Sequence, residues 1–187
     1  MDQLIKLSLL EEVDTQCLLA LNSYGKMKEL IDNPDTKQLK EVWQYLQAFL
    51  AHSGILGSLI FKQGNPDKTK IVTEFLKEEL NIDDESAIRE RGGRNFLEHI
   101  EAFEIYAANR DDNKGIIQMV FDNKRGFEYM KSDRHYYKRV LIAEEMIFIY
   151  QNQEAIKELP LNPIITEVRR IFEESDNARN RLNIIQN

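Results

Sequence analysis

The sequence predicts a mostly α-helical domain: an antiparallel bundle of four to five helices with a small β-hairpin inserted before the last helix. Apolar residues recur at three- and four-residue steps over most of the 187 residues. Runs of β-branched and aromatic residues are confined to about residues 115–161. Because 42% of the residues are hydrophobic, one domain spanning 1–187 has enough material for a core.

The first half of the chain predicts three helices. The first covers residues 3 to about 31 on an apolar stripe: Leu4, Leu7, Leu10, Val13, Cys17, Leu21 and Tyr24. Asn33-Pro34-Asp35 ends that pattern, and a second helix follows from about 35 to 62, with Trp43 on its apolar stripe. A loop at 62–66 then separates it from a shorter helix over about 67–80.

The second half predicts two further helices around the β-prone region. One runs from about residue 84 to Asn109 and contains the adjacent glycines Gly92 and Gly93. Each glycine costs a helix about 1 kcal/mol relative to alanine, so we expect either a close backbone approach there or a helix that begins only after the glycines. The last helix begins at Asn162-Pro163, since proline suits a first helical turn.

The β-prone region predicts a hairpin or a three-stranded appendage. Residues 116–121, 140–142 and 146–150 are rich in isoleucine, valine and aromatic residues. Asp122 to Gly126 has turn-like composition, and we expect it to turn the first strand back on itself.

Composition and charge narrow the classes of function. A net charge of −7 argues against a general nucleic-acid binder, but permits an enzyme that contacts a few phosphates in a locally basic cleft. The single cysteine, Cys17, lies in an apolar pattern and is expected to be a buried hydrophobe. The acidic amino-terminal segment is unlike a secretory signal, and no window is apolar enough to span a membrane, so a cytoplasmic protein is expected.

A basic segment is the predicted nucleic-acid-binding surface. Six lysines and arginines lie between Lys124 and Arg139, among only two acids. The candidate phosphate-binding residues are Arg91, Arg134, Lys138 and Arg139. Tyr136 and Tyr137 are candidates for stacking on nucleic-acid bases. The alternative interpretation of this segment is an ordinary solvated surface.

Arg94, Asn95 and His99 form the candidate catalytic group. Arginine binds anions, and histidine transfers protons near neutral pH. Asn95 and His99 are four residues apart and therefore share one face of a helix. Such a set is suited to cleaving RNA without a metal, with histidine acting on the 2′-hydroxyl or the leaving oxygen and arginine stabilising the phosphorane-like charge.

At these residues the chain resembles the HEPN superfamily, which is marked by an arginine, four to six residues and a histidine, often with a polar residue after the arginine. Arg94, four residues and His99 match, and Asn95 fills the polar position. The resemblance implies a helical bundle that forms a homodimer, and a metal-independent endoribonuclease of toxin or phage-defence type. It implies RNA as substrate, a protein antitoxin as partner, no cofactor, and catalytic roles for these three residues.

Several alternatives need no catalysis. The three residues can instead form a buried polar cluster in a helical interaction module. Arg94 can pair with Glu98 or Glu90, and Asn95 can cap a helix after the glycines. A di-metal site is the rival chemistry, but Glu-x-x-His does not occur in the sequence, and we expect no metal site. His52 is expected to have a packing or hydrogen-bonding role.

Overall fold

The computed structural model describes residues 1–33, 39–61, 66–90, 92–110, 112–152 and 155–184. Its helices are α1 (Gln3–Asp32), α2 (Leu39–Ile60), α3 (Pro66–Glu79), α4 (Gly92–Glu98), α5 (Ile100–Ala108), α6 (Lys124–Met130) and α7 (Leu161–Ile184). Its strands are β1 (Gly115–Phe121), β2 (His135–Ile142), β3 (Ile147–Asn152) and β4 (Ala155–Pro160). The mostly α-helical class predicted from the sequence is confirmed.

The main core lies among the long helices. α1 packs on both α2 and α7, and the Asp2 side chain caps α1 by accepting a bond from the Leu4 amide. Cys17 and Trp43 are buried in this core, as expected. The apolar periodicity thus placed α1, α2, α3 and α7 correctly, although the expected start of the second helix at 35 and the loop at 62–65 lie outside the described residues.

The predicted helix from 84 to 109 is wrong as one element. A 3₁₀ turn covers Ala87–Arg89, α4 begins at Gly92, and the chain leaves helical geometry at His99 with φ −120° and ψ 36° before α5 starts. α4 contacts β3 through Phe96 and Tyr150, whereas α5 contacts β2 through Phe103 and Tyr136. A bend between the two short helices lets the chain follow a sheet whose strands are twisted against one another.

The β region is larger than the hairpin expected. One four-stranded sheet has the order β1-β2-β3-β4, with β1 parallel to β2 and the other pairs antiparallel. The expected turn at 122–126 is wrong, because Asn123 caps α6 by accepting from the Gly126 amide and α6 carries the chain across. A parallel pair requires such a crossover connection.

The two faces of the sheet belong to different cores. Leu141, Phe148 and Leu159 face the helical core. The opposite face packs on α6 in a smaller cluster formed by Phe127, Tyr137, Val140, Ile142 and Ile149. In the parts of the chain that the structure describes, no helix has the length and apolar character needed to cross a bilayer.

Candidate functional site

A cavity of about 810 Å³ lies between α4 and α5 on one side and β3, β4 and the start of α7 on the other. This volume is within the range of about 300–1,000 Å³ that ligand pockets usually have. Its wall is partly aromatic, formed by Phe96, Phe103, Tyr106 and Tyr150. Its polar lining comprises Glu90, Asn95, His99, Gln151, Asn152, Lys157 and Glu158. The ring faces and amides suit a planar, polar ligand, and the charged lining comprises Lys157 and the carboxylates of Glu90 and Glu158.

The two adjacent glycines let α4 close one wall of the cavity. Any side chain at Gly92 would overlap the Tyr150 hydroxyl and the Glu90 carboxylate, and the Gly92 amide donates a hydrogen bond to that carboxylate. A side chain at Gly93 would overlap Leu159 of β4. The expected close backbone approach is therefore confirmed, whereas a helix that begins only after the glycines is wrong, because α4 starts at Gly92.

Tyr150 is a buried polar residue of this wall. Burial, and then the nearby Glu90 carboxylate, raise the pKa of Tyr150 above its usual value. Because both effects favour the protonated phenol, Tyr150 stays neutral at physiological pH and serves as a hydrogen-bond donor rather than a base.

His99 and Asn95 lie together at the cavity. The His99 side chain is 72% exposed, and its Nδ1 atom lies 3.5 Å from Oε1 of Glu101. Its amide donates to the Asn95 carbonyl at 3.1 Å, which completes the last turn of α4. Asn95 is inside α4 and exposed, so the expectation that it caps the helix is wrong. The imidazole of His99 and the amide of Asn95 are therefore both accessible to a ligand in the cavity.

Arg94 leaves α4 in another direction and does not line the cavity. Its Nε atom donates to Oε1 of Glu98 at 2.8 Å, which confirms the expected pairing with Glu98. The rest of the side chain lies over Gly54 of α2, and Nη1 is 3.5 Å from the Ser58 hydroxyl. The structure therefore brings Asn95 and His99 together at the cavity and places Arg94 against α2.

The three residues do not form a buried polar cluster. Asn95 and His99 are exposed, and the Arg94 side chain is 24% exposed. The buried cluster of the non-catalytic alternative is therefore wrong. His99 lies at the break between α4 and α5, where its side chain is exposed to solvent.

The predicted phosphate-binding residues lie elsewhere. Arg134 is exposed in the turn before β2, Lys138 is paired with Glu104 of α5, and burial lowers the pKa of the half-buried Arg139. None of the three lines the cavity, and Arg91 is outside the described residues. The suggestion that Tyr136 and Tyr137 stack on bases is wrong, because both are buried between the sheet and its neighbouring helices.

Sequence patterns did not identify the cavity residues contributed by the sheet. Tyr150 and Lys157 come from β3 and β4, more than fifty positions after α4 in the chain. The alternation along β3 indicates which side chains share a face, but not which helix covers that face.

Comparison with known proteins gives no match, whether the chain is compared with protein-family models, with curated proteins or with solved structures.

Proposed function

We propose that this chain is a metal-independent endoribonuclease of the HEPN type, with His99 as the general acid or base. The observation that carries the proposal is the solvated imidazole of His99 beside Asn95, at the edge of a cavity with aromatic and amide walls. A single-stranded nucleotide suits such a cavity because its base stacks on aromatic rings and its edge bonds to amides.

The reaction uses the substrate's own nucleophile. The 2′-hydroxyl oxygen attacks the adjacent phosphorus while the bond from phosphorus to the 5′-oxygen breaks. The proton leaves the 2′-hydroxyl, and another is taken up by the departing 5′-oxygen; His99 supplies one of these transfers and water the other. The products are a 2′,3′-cyclic phosphate and a 5′-hydroxyl, so the reaction requires neither a metal ion nor a cofactor.

Arg94 stabilises the phosphorane-like charge in this proposal, after exchanging Glu98 for the phosphate. The ion pair with Glu98 contributes only about 0.3–0.5 kcal/mol, and the exchange also requires the Arg94 side chain to leave its contacts with Gly54 and Ser58. Asn95 holds a phosphate or ribose oxygen next to His99. The same proposal includes a homodimer and a protein antitoxin as partners. It also includes RNA contacts by four basic residues: Arg91, Arg134, Lys138 and Arg139.

The test is cleavage of transfer RNA and of a randomised single-stranded RNA, both in excess EDTA. We expect His99→Ala to lower the rate by about 10²–10⁴-fold, the usual contribution of a positioned acid or base. Arg94→Ala should lower it by about 10²–10³-fold. His52→Gln is the matched control, because His52 does not line the cavity. Cleavage that survives both alanine variants contradicts the proposal.

Mixing the two inactive variants identifies the chain that supplies the arginine. If Arg94 and His99 of one site come from two copies, a mixed dimer of His99→Ala and Arg94→Ala contains one intact site, and cleavage returns. If both residues come from one chain, every site in the mixture carries a defect, and cleavage stays absent.

A second candidate is a non-catalytic helical interaction module. The observation that favours it is the engagement of Arg94 with Glu98, Ser58 and the backbone at Gly54. In that case Arg94 is needed for packing α4 against α2, and Arg94→Ala lowers the free energy of unfolding. Denaturant unfolding of Arg94→Ala beside the cleavage assay separates the two functions.

A further inference from the structure

β1 is an outer strand of the sheet, and neither a charged residue nor a proline protects its free edge. It is hydrogen-bonded to β2 on one side, and no described strand pairs with its other side. Its sequence is Gly-Ile-Ile-Gln-Met-Val-Phe, in which Ile116 is 49% exposed and Met119 is 42% exposed. The register against β2 shifts between Ile117 and Gln118, and the extra residue, Lys138, belongs to β2. An uncharged edge strand with exposed apolar side chains is a template for pairing with another strand.

The opposite edge of the same sheet is different. β4 carries Lys157, Glu158 and Pro160, which are the residue types that keep a free edge from pairing. Only one of the two edges is therefore suited to accept a further strand.

β1 is complementary to itself in one antiparallel register. We propose that β1 pairs with β1 of a second copy of this chain, about a two-fold axis through Gln118. In this register Ile116 is opposite Val120 of the second copy, and Ile117 is opposite Met119 of the second copy. Each contact occurs twice, as a two-fold axis requires. The pairs between the central glutamines and the terminal Gly115–Phe121 pairs consist of aliphatic residues and methionine.

The charges beyond the strand ends select the same occupant and the same register. Lys114 precedes β1 and Asp122 follows it, so the register centred on Gln118 places each Lys114 opposite Asp122 of the second copy. Opposite charges across antiparallel strands stabilise pairing, whereas like charges oppose it. A register shifted by two residues loses this match at both ends.

This interface goes beyond the proposed function and is distinct from any contact that would bring Arg94 and His99 of two copies together. The cavity with His99 is bounded by β3 and β4, on the far side of β2 from the free edge of β1. Pairing through β1 therefore leaves that cavity open in both copies, and the dimer forms whether or not the protein cleaves RNA.

A cysteine at the two-fold axis tests the register. Residues directly opposite each other have Cα atoms about 4.5–5.5 Å apart, within the range that a disulfide bridges. We expect Gln118→Cys to form a disulfide-linked dimer under mild oxidation. In Met119→Cys, the matched control, the two thiols are diagonal neighbours about 7–8 Å apart, so cross-linking should be at least about tenfold slower. The native Cys17 is buried, and burial raises its pKa to about 12, so it forms no cross-link.

Charge reversal gives an independent measurement on the uncross-linked protein. Sedimentation velocity should show a dimer for the parent chain, and Lys114→Asp or Asp122→Lys alone should raise the dimer dissociation constant by about tenfold or more. The double variant should restore the dissociation constant of the parent chain. Lys26→Asp on α1, the control, should leave that constant unchanged. Circular dichroism checks that each variant is folded. A parent chain that stays monomeric, a dimer indifferent to the single reversals, or equal cross-linking at positions 118 and 119 overturns the proposal.

Discussion

Two of the histidines have opposite surroundings. His52 lies on α2 with its Nδ1 atom 2.8 Å from Oε1 of Gln16, whereas His99 is largely solvated. The contact with Gln16 assigns the ring proton to Nδ1, since the amide oxygen accepts. Burial of His52 lowers its pKa below the ordinary value. His52 is thus a neutral structural residue, as its position in an apolar helix predicted.

The lowered pKa of His52 makes stability depend on pH. The folded chain binds a proton at His52 less readily than the unfolded chain, so the free energy of unfolding falls as pH drops below about 6.5, toward the folded pKa. His52→Gln keeps a donor for Gln16 and removes this loss. Urea unfolding at about pH 7.5 and about pH 5 measures it.

In that experiment the parent chain should lose more stability on acidification than His52→Gln does. His99→Gln is the control, because it removes an exposed histidine and leaves His52 in place. Equal losses for the parent and His52→Gln would show that His52 carries no such effect.

The pair between Arg94 and Glu98 gives a second prediction at the residue scale. Glu98→Gln removes the carboxylate that holds the guanidinium and should change the free energy of unfolding by less than about 0.5 kcal/mol. If Arg94 must leave Glu98 to reach a phosphate, RNA cleavage by Glu98→Gln is equal to or faster than that of the parent. A loss of cleavage as large as that of Arg94→Ala would mean that the ion pair itself is required.

Among the elements, α2 and the 3₁₀ turn are packed with their backbones in contact. A Cβ atom at Gly57 of α2 would overlap the carbonyl oxygen of Ile88, whereas one at Gly25 of α1 would meet nothing within 4 Å. The 3₁₀ turn leads directly into Glu90 and α4. This contact therefore positions one end of the cavity wall.

Two glycine-to-alanine substitutions test the packing of α2. Gly57→Ala should lower the free energy of unfolding by about 1–3 kcal/mol, because the neighbour is backbone and cannot rotate away. Gly25→Ala should raise it by up to about 1 kcal/mol through helix propensity alone. Denaturant unfolding of both variants is the measurement, and equal effects of the same sign would contradict the packing described.

Local patterns predicted some of these elements and missed others for a physical reason. The three- and four-residue periodicity of α1, α2, α3 and α7 is a property of each segment, so it was visible in the sequence. The bend at His99 and the parallel pairing of β1 with β2 depend on contacts with distant segments. α6 was missed because its seven residues are too few for a periodic signal.

For the whole molecule, the sheet divides two cores of unequal size. The long helices cover one face and α6 covers the other. The cavity lies where the short helices α4 and α5 cross β3 and β4. The motif Arg94-Asn95-His99 marked this region from the sequence, but the orientation of Arg94 toward α2 depends on Gly54, forty residues earlier, and no local pattern contains that information.

Dependence on the 2′-hydroxyl tests the central claim most directly. A single-stranded RNA that the parent chain cleaves in EDTA is compared with the same RNA carrying a 2′-O-methyl group at the cleaved nucleotide, and product ends are identified by mass. We expect a 2′,3′-cyclic phosphate from the unmodified RNA, no cleavage at the methylated position, and loss of both fragments with His99→Ala. Cleavage at the methylated position would contradict the proposed use of the 2′-hydroxyl. So would product ends that lack the cyclic phosphate even at the first time point measured.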